Sequence, residues 1–220
     1  ECQLSEGIRR ERLSPFSYRA IRDVADYAPI PWRGGRFDDE MLTEAIATQE
    51  RAEQVFEEWS YLGGIERTAL AFCSSVRHAD FMADFFSAKG VNARSVHSAA
   101  SSAPRSESIA MLEAGEVNVL FSVDLFNEGL DVPNVDIVLM LRPTESSTLF
   151  LQQLGRGLRL REGKNLDVLD LVGNHRSFLK KLHILAGLCG YQLPSNGAVI
   201  DLLRKPDQLS ELSDLPSGCS

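Results

Sequence analysis

The sequence predicts an α/β domain: a parallel sheet with helices on both faces, preceded by an N-terminal helical lead-in segment. Three observations predict it. Mostly apolar runs of six or seven residues recur at Thr68–Cys73, Val117–Val123, Asp136–Leu141 and Leu166–Val172, as strands buried on both faces require. Segments of helical periodicity lie between them and stop at glycines such as Gly90 and Gly115. The alternation continues through residues 67–190, and strand–helix–strand connections of this kind make successive strands parallel.

Taken in order, Glu6–Arg12 is charged and helical in character until Ser14-Pro15 ends it. Pro15–Val24 alternates as a strand, with Phe16, Tyr18, Ile21 and Val24 as its apolar positions. Pro29, Pro31, Gly34 and Gly35 mark a loop. From Asp38 to Leu62 the spacing of Met41, Leu42, Ala45, Ile46, Ala52, Val55, Phe56 and Trp59 predicts one long helix, capped by Asp38 or Asp39 and stopped by Gly63-Gly64. Its apolar stripe predicts a lid on the core. Helices are then expected over Val76–Lys89, Pro104–Ala114, from about Ser146 onward, and over Arg176–Leu188, with a short strand at Ala93–His97. Beyond Gly190 come a linker at Pro194–Gly197, one short element at Ala198–Leu203, and an acidic, serine-rich tail expected to be mobile. The expected division is a lead-in strand and helix packing on the core over 1–64, a core domain over 65–190 and an extension over 191–220.

Composition narrows the function classes. A hydrophobic content of 44% in 220 residues is enough for a sizeable core. No apolar run approaches the length of about 18 that a membrane span needs, and the first 25 residues are too charged for a signal peptide. Cys2, Cys73, Cys189 and Cys219 are scattered without a C-x-x-C pair, so neither a zinc site nor a disulfide framework follows; Cys73 reads as a buried small hydrophobe in a reducing, cytoplasmic compartment. The histidines His78, His175 and His183 form no metal-ligand cluster, and no metal site is expected. A net charge of −8 argues against indiscriminate coating of nucleic acid, although Arg156, Arg159, Arg161 and Lys164, concentrated within nine positions, leave room for a local basic groove. The chain opens on Glu1 rather than methionine, and is expected to be a fragment of something longer.

The stretch richest in candidate chemistry is 120–161. After the strand ending at Val123 comes the polar turn Asn127-Glu128-Gly129-Leu130-Asp131, then a second strand, then a helix on which spacings of four and three bring Gln152, Arg156 and Arg159 to one side. The segment Phe121-Ser122-Val123-Asp124-Leu125-Phe126-Asn127-Glu128-Gly129-Leu130-Asp131-Val132-Pro133 resembles motif V of superfamily 2 helicases. Gln152-Gln153-Leu154-Gly155-Arg156-Gly157-Leu158-Arg159 resembles their motif VI, Q-x-x-G-R-x-x-R. The two stand in the family's order, and the resemblance covers residues 67–190, implying the C-terminal RecA-like domain of a DEAD/DEAH-like helicase. Ser74-Ser75-Val76-Arg77-His78-Ala79, between a strand and a helix, is similar to motif IV, and His97-Ser98 to motif IVa. An SPF-x-Y segment and Trp32-Arg33-Gly34-Gly35-Arg36-Phe37-Asp38 are similar to the lead-in of one DNA-acting subgroup, in repair or restriction.

The resemblance implies roles residue by residue. Arg156 and Arg159 would be arginine fingers on the γ-phosphate, whose developing charge a guanidinium fork grips at two oxygens, and Gln152 would orient nucleotide or attacking water. Gly129, Asp131 and Glu128 would contact nucleotide, with Asp131 accepting from a ribose hydroxyl. Ser74, Ser75, His97, Ser98, Ser122 and Asn127 would hold the nucleic-acid backbone. Two alternatives stand beside these roles. Ser74 and Ser75 are equally explained as a helix cap. Many family members carry threonine six residues before the motif V glycine, where this chain has Val123, while Ser122 is seven before Gly129. A P-loop reading of Gly157 to Gly163-Lys164-Asn165 fails, because five residues rather than four separate the glycines and asparagine replaces the hydroxyl residue.

No true Walker A lysine and no D-E-x-x acidic pair with an appropriate strand is present. The expectation is therefore a half-site: an ATP-dependent helicase or translocase acting on DNA, in which a missing N-terminal RecA-like domain of the same parent holds ATP and its Mg2+, and which is inactive as an isolated fragment. The alternative is a degenerate RecA-like domain serving as a nucleic-acid or protein docking module. A self-contained Rossmann enzyme would need a glycine fingerprint after the first core strand, and Cys73-Ser74-Ser75-Val76 provides none.

Overall fold

The structure, a computed structural model, describes residues 13–34, 36–123, 135–143 and 146–172. Six parallel strands form one sheet: β1 (Phe16–Arg22), β4 (Ala69–Phe72), β5 (Ala93–Val96), β6 (Val119–Ser122), β7 (Ile137–Met140) and β8 (Leu166–Val172), in the order β1-β8-β7-β4-β6-β5. A two-stranded hairpin, β2 (Trp32–Arg33) with β3 (Arg36–Phe37), stands apart. The helices are α1 (Asp39–Ile46), α2 (Gln49–Tyr61), α3 (Val76–Ala88), α4 (Arg105–Glu113) and α5 (Ser147–Gly157).

The central strand shows why the runs lack polar alternation. All four residues of β4 are buried, and because successive side chains point to opposite faces, Ala69 and Ala71 enter one core while Leu70 and Phe72 enter another. The first core is closed by α2 and α3 through Ala52, Val55, Trp59, Met82 and Phe86. The second is closed by α4 and α5 through Leu112, Phe150 and Leu154. Alanines on the first face leave room for large rings: Trp59 stacks edge-on against Phe86 at 5.2 Å, and Phe86 against Phe121 at 5.0 Å. Truncating a fully buried ring such as Phe86 to alanine costs about 3–5 kcal/mol.

The predicted long helix over 38–62 is two helices. Asp38 caps α1 by accepting from the Met41 N–H, but Ala47 leaves helical geometry and Thr48 starts α2 afresh, its hydroxyl accepting from the Arg51 N–H. A re-aimed helix lets Ala52, Val55 and Trp59 enter the core while Leu42 and Ile46 build a separate small cluster with Tyr27 and Ile30. The loop region also carries a short hairpin, in which β2 pairs antiparallel with β3; Gly34, after β2, has φ +58°, a conformation that favours glycine.

The lead-in strand β1 forms one edge of the main sheet, paired with β8 from Phe16 opposite Leu166 to Arg22 opposite Val172. The Tyr18 hydroxyl donates to Asp170 across that pair at 2.5 Å. Among the described residues, no helix is long and apolar enough to cross a membrane.

Candidate functional site

Because all six strands are parallel, their carboxyl ends share one edge, where loops are free to present polar groups. At the end of β4, Ser75 caps α3 by accepting from the His78 N–H at 3.2 Å, and receives the Thr43 hydroxyl at 2.8 Å. Ser74 is half-buried, with its hydroxyl 3.3 Å from His78 Nδ1. Both serines thus sit at a helix start on the ligand edge, and Ser75 performs the capping role. At the end of β5, His97 is buried against Asp80, Nε2 to Oδ1 at 2.9 Å, while Ser98 is exposed. Ser122 is buried, and its hydroxyl donates to the Ala71 carbonyl at 3.0 Å, turned into the sheet rather than outward. Asn127, Glu128, Gly129 and Asp131 lie outside the described residues.

Beneath this edge lies a polar cluster that sequence reasoning missed. Arg51, fully buried, grips Asp23 with Nε at 2.9 Å and Nη2 at 3.0 Å, and donates to the Leu141 carbonyl at the end of β7 at 2.9 Å. Its Nη1 lies 3.3 Å from His78 Nε2, and the Tyr27 hydroxyl donates to Asp23 at 2.5 Å. Burial alone would drive the guanidinium toward its neutral form; the Asp23 carboxylate against it opposes this and holds Arg51 charged. Burial, reinforced by Arg51, keeps His78 neutral by pushing its pKa well below the usual histidine value. Burial likewise pushes the Tyr27 hydroxyl up, so it stays a donor. One arginine therefore ties the ends of β1 and β7 to the Ser74 turn through His78. Its only sequence signal is a charged residue inside an apolar helical stripe.

Motif VI occupies a different place. α5 starts at the carboxyl edge, where the Ser146 hydroxyl accepts from the Leu149 N–H, and runs back toward the amino ends of the strands. The helix stops at Gly157. A Cβ there would stand 2.6 Å from Leu166 and 2.9 Å from Val138, side chains at the starts of β8 and β7. Gln152 is exposed and Arg156 half-buried one turn on, as their spacing predicts. Arg159 is not on the helix, which corrects the expectation of three side chains on one helical face. Its backbone is instead clamped: Ser14 donates through N–H to Leu158 O at 2.9 Å and through Oγ to Arg159 O at 2.7 Å. Leu13 and Arg159 form an antiparallel bridge, while the Arg159 side chain is exposed.

The basic groove anticipated from four clustered cations divides in the same way. Lys164 is buried, and its ammonium donates to Gly157 O at 2.7 Å, satisfying an orphan carbonyl at the end of α5. Burial lowers its pKa to about 8. Arg161 pairs with Asp136 at 2.5 Å. Two of the four cations are thus spent on the fold. Among the described residues no three His, Cys, Asp or Glu side chains gather as metal ligands.

Comparison with known proteins agrees with this layout. The family model "Helicase conserved C-terminal domain" matches residues 51–161, half of the chain. The chain is 25% identical over 202 residues to "Putative ATP-dependent helicase IRC3" of Saccharomyces cerevisiae, covering 90% of this chain and 29% of that protein. It is 32% identical over 130 residues to UvrABC system protein B of Prochlorococcus marinus, covering 57% and 19%. A 51.5 kDa protein of a Lactococcus phage is 28% identical over 167 residues, covering 76% and 36%. The chain thus spans 19% to 36% of the lengths of these relatives. In fold it is similar to the RNA helicase Prp28 of Chaetomium thermophilum bound to ADP, with TM-score 0.57, 17% identity and coverage of 84% of this chain and 39% of that one. A DEAD box protein from Methanococcus jannaschii gives TM-score 0.53 at 18% identity, covering 81% and 40%. From strand order, motif placement and these matches together, the chain belongs to the helicase conserved C-terminal domain family of superfamily 2 helicases.

Proposed function

We propose that this chain is the second motor domain of an ATP-dependent DNA helicase or translocase, completing an ATP site with Arg156, Arg159 and Gln152 at the far end of α5 while its carboxyl edge contacts the nucleic-acid backbone. The observation that carries the proposal is the clamp on Arg159. Ser14 and the Leu13 bridge fix the arginine's backbone beyond the helix end, and the side chain stands exposed from that fixed base. An arginine meant to meet a phosphate across a domain joint benefits from such pre-organisation. The nucleotide and its Mg2+ would be held mainly by an N-terminal RecA-like domain of the same parent; bound ATP supplies the phosphoryl group whose transfer releases energy. Gly129, Asp131 and Glu128 are proposed on the same nucleotide, and Ser74, Ser75, His97, Ser98, Ser122 and Asn127 on the strand. DNA is the proposed strand, on the subgroup resemblance of the lead-in.

The test is steady-state ATP hydrolysis by the intact protein with single-stranded DNA, duplex DNA and RNA, for wild type and Arg159→Ala. DNA is expected to stimulate turnover. The substitution should lower it by on the order of 10³ while ATP affinity stays within several-fold, because the arginine acts on the transition state. Unchanged turnover removes the finger assignment. An intact protein without ATPase under any nucleic acid makes this domain a docking module.

A further inference from the structure

The β2–β3 hairpin is the part of the structure least explained by packing. The chain has two tryptophans: Trp59 is fully buried, whereas Trp32 is 43% exposed. Trp32 is nonetheless held in place. Its ring meets Phe37, directly opposite in register, edge-on at 4.7 Å and 80°, and Phe37 leans on the buried Tyr27 at 5.7 Å. The other cross-strand pair is Arg33 opposite Arg36. Like charges directly opposite destabilise a hairpin, and among the described residues neither arginine forms an ion pair. In a chain of net charge −8, two juxtaposed unpaired arginines beside an exposed ring point to an anionic, aromatic ligand.

An open cleft lies behind the hairpin, lined by Trp32 and Phe37, by apolar Leu42, Pro143 and Leu149, and by Ser74. Arg36, Arg142 and Asp39 also line it, so the apolar wall that suits the face of a base is bordered by cations that suit the phosphate attached to it. We propose that this cleft is a stacking site for a base of single-stranded nucleic acid, with Trp32 as the platform and Arg33 and Arg36 holding the flanking phosphates. The inference rests on the nucleic-acid-binding reading above and adds a site to it. A strand fits better than free nucleotide because the Ser74 turn forms one wall, while the arginines proposed to meet ATP lie at the other end of α5. That end is about 16 Å away at helical rise.

The experiment titrates the intact protein with an oligothymidylate, an abasic strand of equal length, and ATP alone. Tryptophan emission is read as the difference between wild type and Trp32→Phe, and affinity from labelled-strand anisotropy. Stacking predicts saturable quenching of Trp32 by the oligothymidylate and none by ATP. Trp32→Ala should weaken oligothymidylate binding roughly ten- to a hundredfold, Trp32→Phe should restore most of it, and neither should alter abasic-strand affinity. Arg33→Ala and Arg36→Ala should each reduce the slope of log affinity against log salt by about 0.7. Wild-type oligothymidylate affinity in Trp32→Ala overturns the stacking site while leaving strand binding intact. Quenching by ATP alone reassigns the cleft to nucleotide. An intact protein that binds no strand overturns both this inference and the nucleic-acid reading beneath it.

Discussion

Arg51 and Asp23, 28 residues apart in sequence, face each other as a fork and a carboxylate with no solvent on either side chain. The pair's effect is asymmetric. Forming it sets the desolvation of two ions against their attraction, which leaves little net gain, but removing one partner strands a buried charge. Arg51→Met is therefore expected to lower stability by about 3–5 kcal/mol, and Asp23→Leu in the same background to return part of that loss. Urea unfolding of the single and double variants measures it. Strict additivity of the two losses would contradict the pairing.

His78 makes the same cluster sensitive to acid. Its pKa in the fold is depressed by burial and by Arg51, whereas the unfolded chain takes up the proton near the ordinary value of about 6.5. Below that pH the unfolded state binds more protons than the native state. The stability of the neutral form is thus complete above about 6.5 and is lost as pH falls, at up to about 1.4 kcal/mol per pH unit. Denaturant midpoints followed from neutral to acid pH should diverge between wild type and His78→Gln, with the variant flatter; parallel curves would mean that His78 titrates normally.

Gly155 separates folding from function. It lies inside α5, yet an added Cβ would meet nothing within 4 Å among the described residues. A helix-interior glycine costs about 0.5–1 kcal/mol relative to alanine, so Gly155→Ala should raise the melting temperature. If the surface between Gln152 and Arg156 receives another domain, the same methyl should reduce ATP turnover in the intact protein. A variant more stable and fully active would show that this face does not lie at the joint.

The sheet was legible because both of its faces are buried: strands such as Ala69–Phe72 can carry no polar alternation, and that pattern survives in one sequence. Helix ends were less legible, since tertiary contact decides them. Counting by threes and fours carried the motif VI helix to Arg159, but the close approach of Gly157 to Leu166 and Val138 ends it sooner. The break at Thr48 hides in an apolar spacing that continues across it with no glycine or proline to mark it. The hairpin was within reach, because Gly34-Gly35 between Trp32-Arg33 and Arg36-Phe37 is a two-residue turn signal, but its strands are only two residues each. The Asp23–Arg51–His78 cluster joins three elements with no common period, and only the folded chain brings it together.

The parallel pairing of β1 with β8 also has a mechanical meaning. A pull on the backbone from residues 1–12, directed along the strand, loads the ladder of seven registered residue pairs in shear, so its hydrogen bonds bear the force together instead of opening in turn. Leu13 and Ser14 stand first in the path of that force, Leu13 bridged to Arg159 and Ser14 bonded to Leu158 and Arg159. Tension entering along β1 therefore reaches the motif VI arginine before it reaches the rest of the sheet.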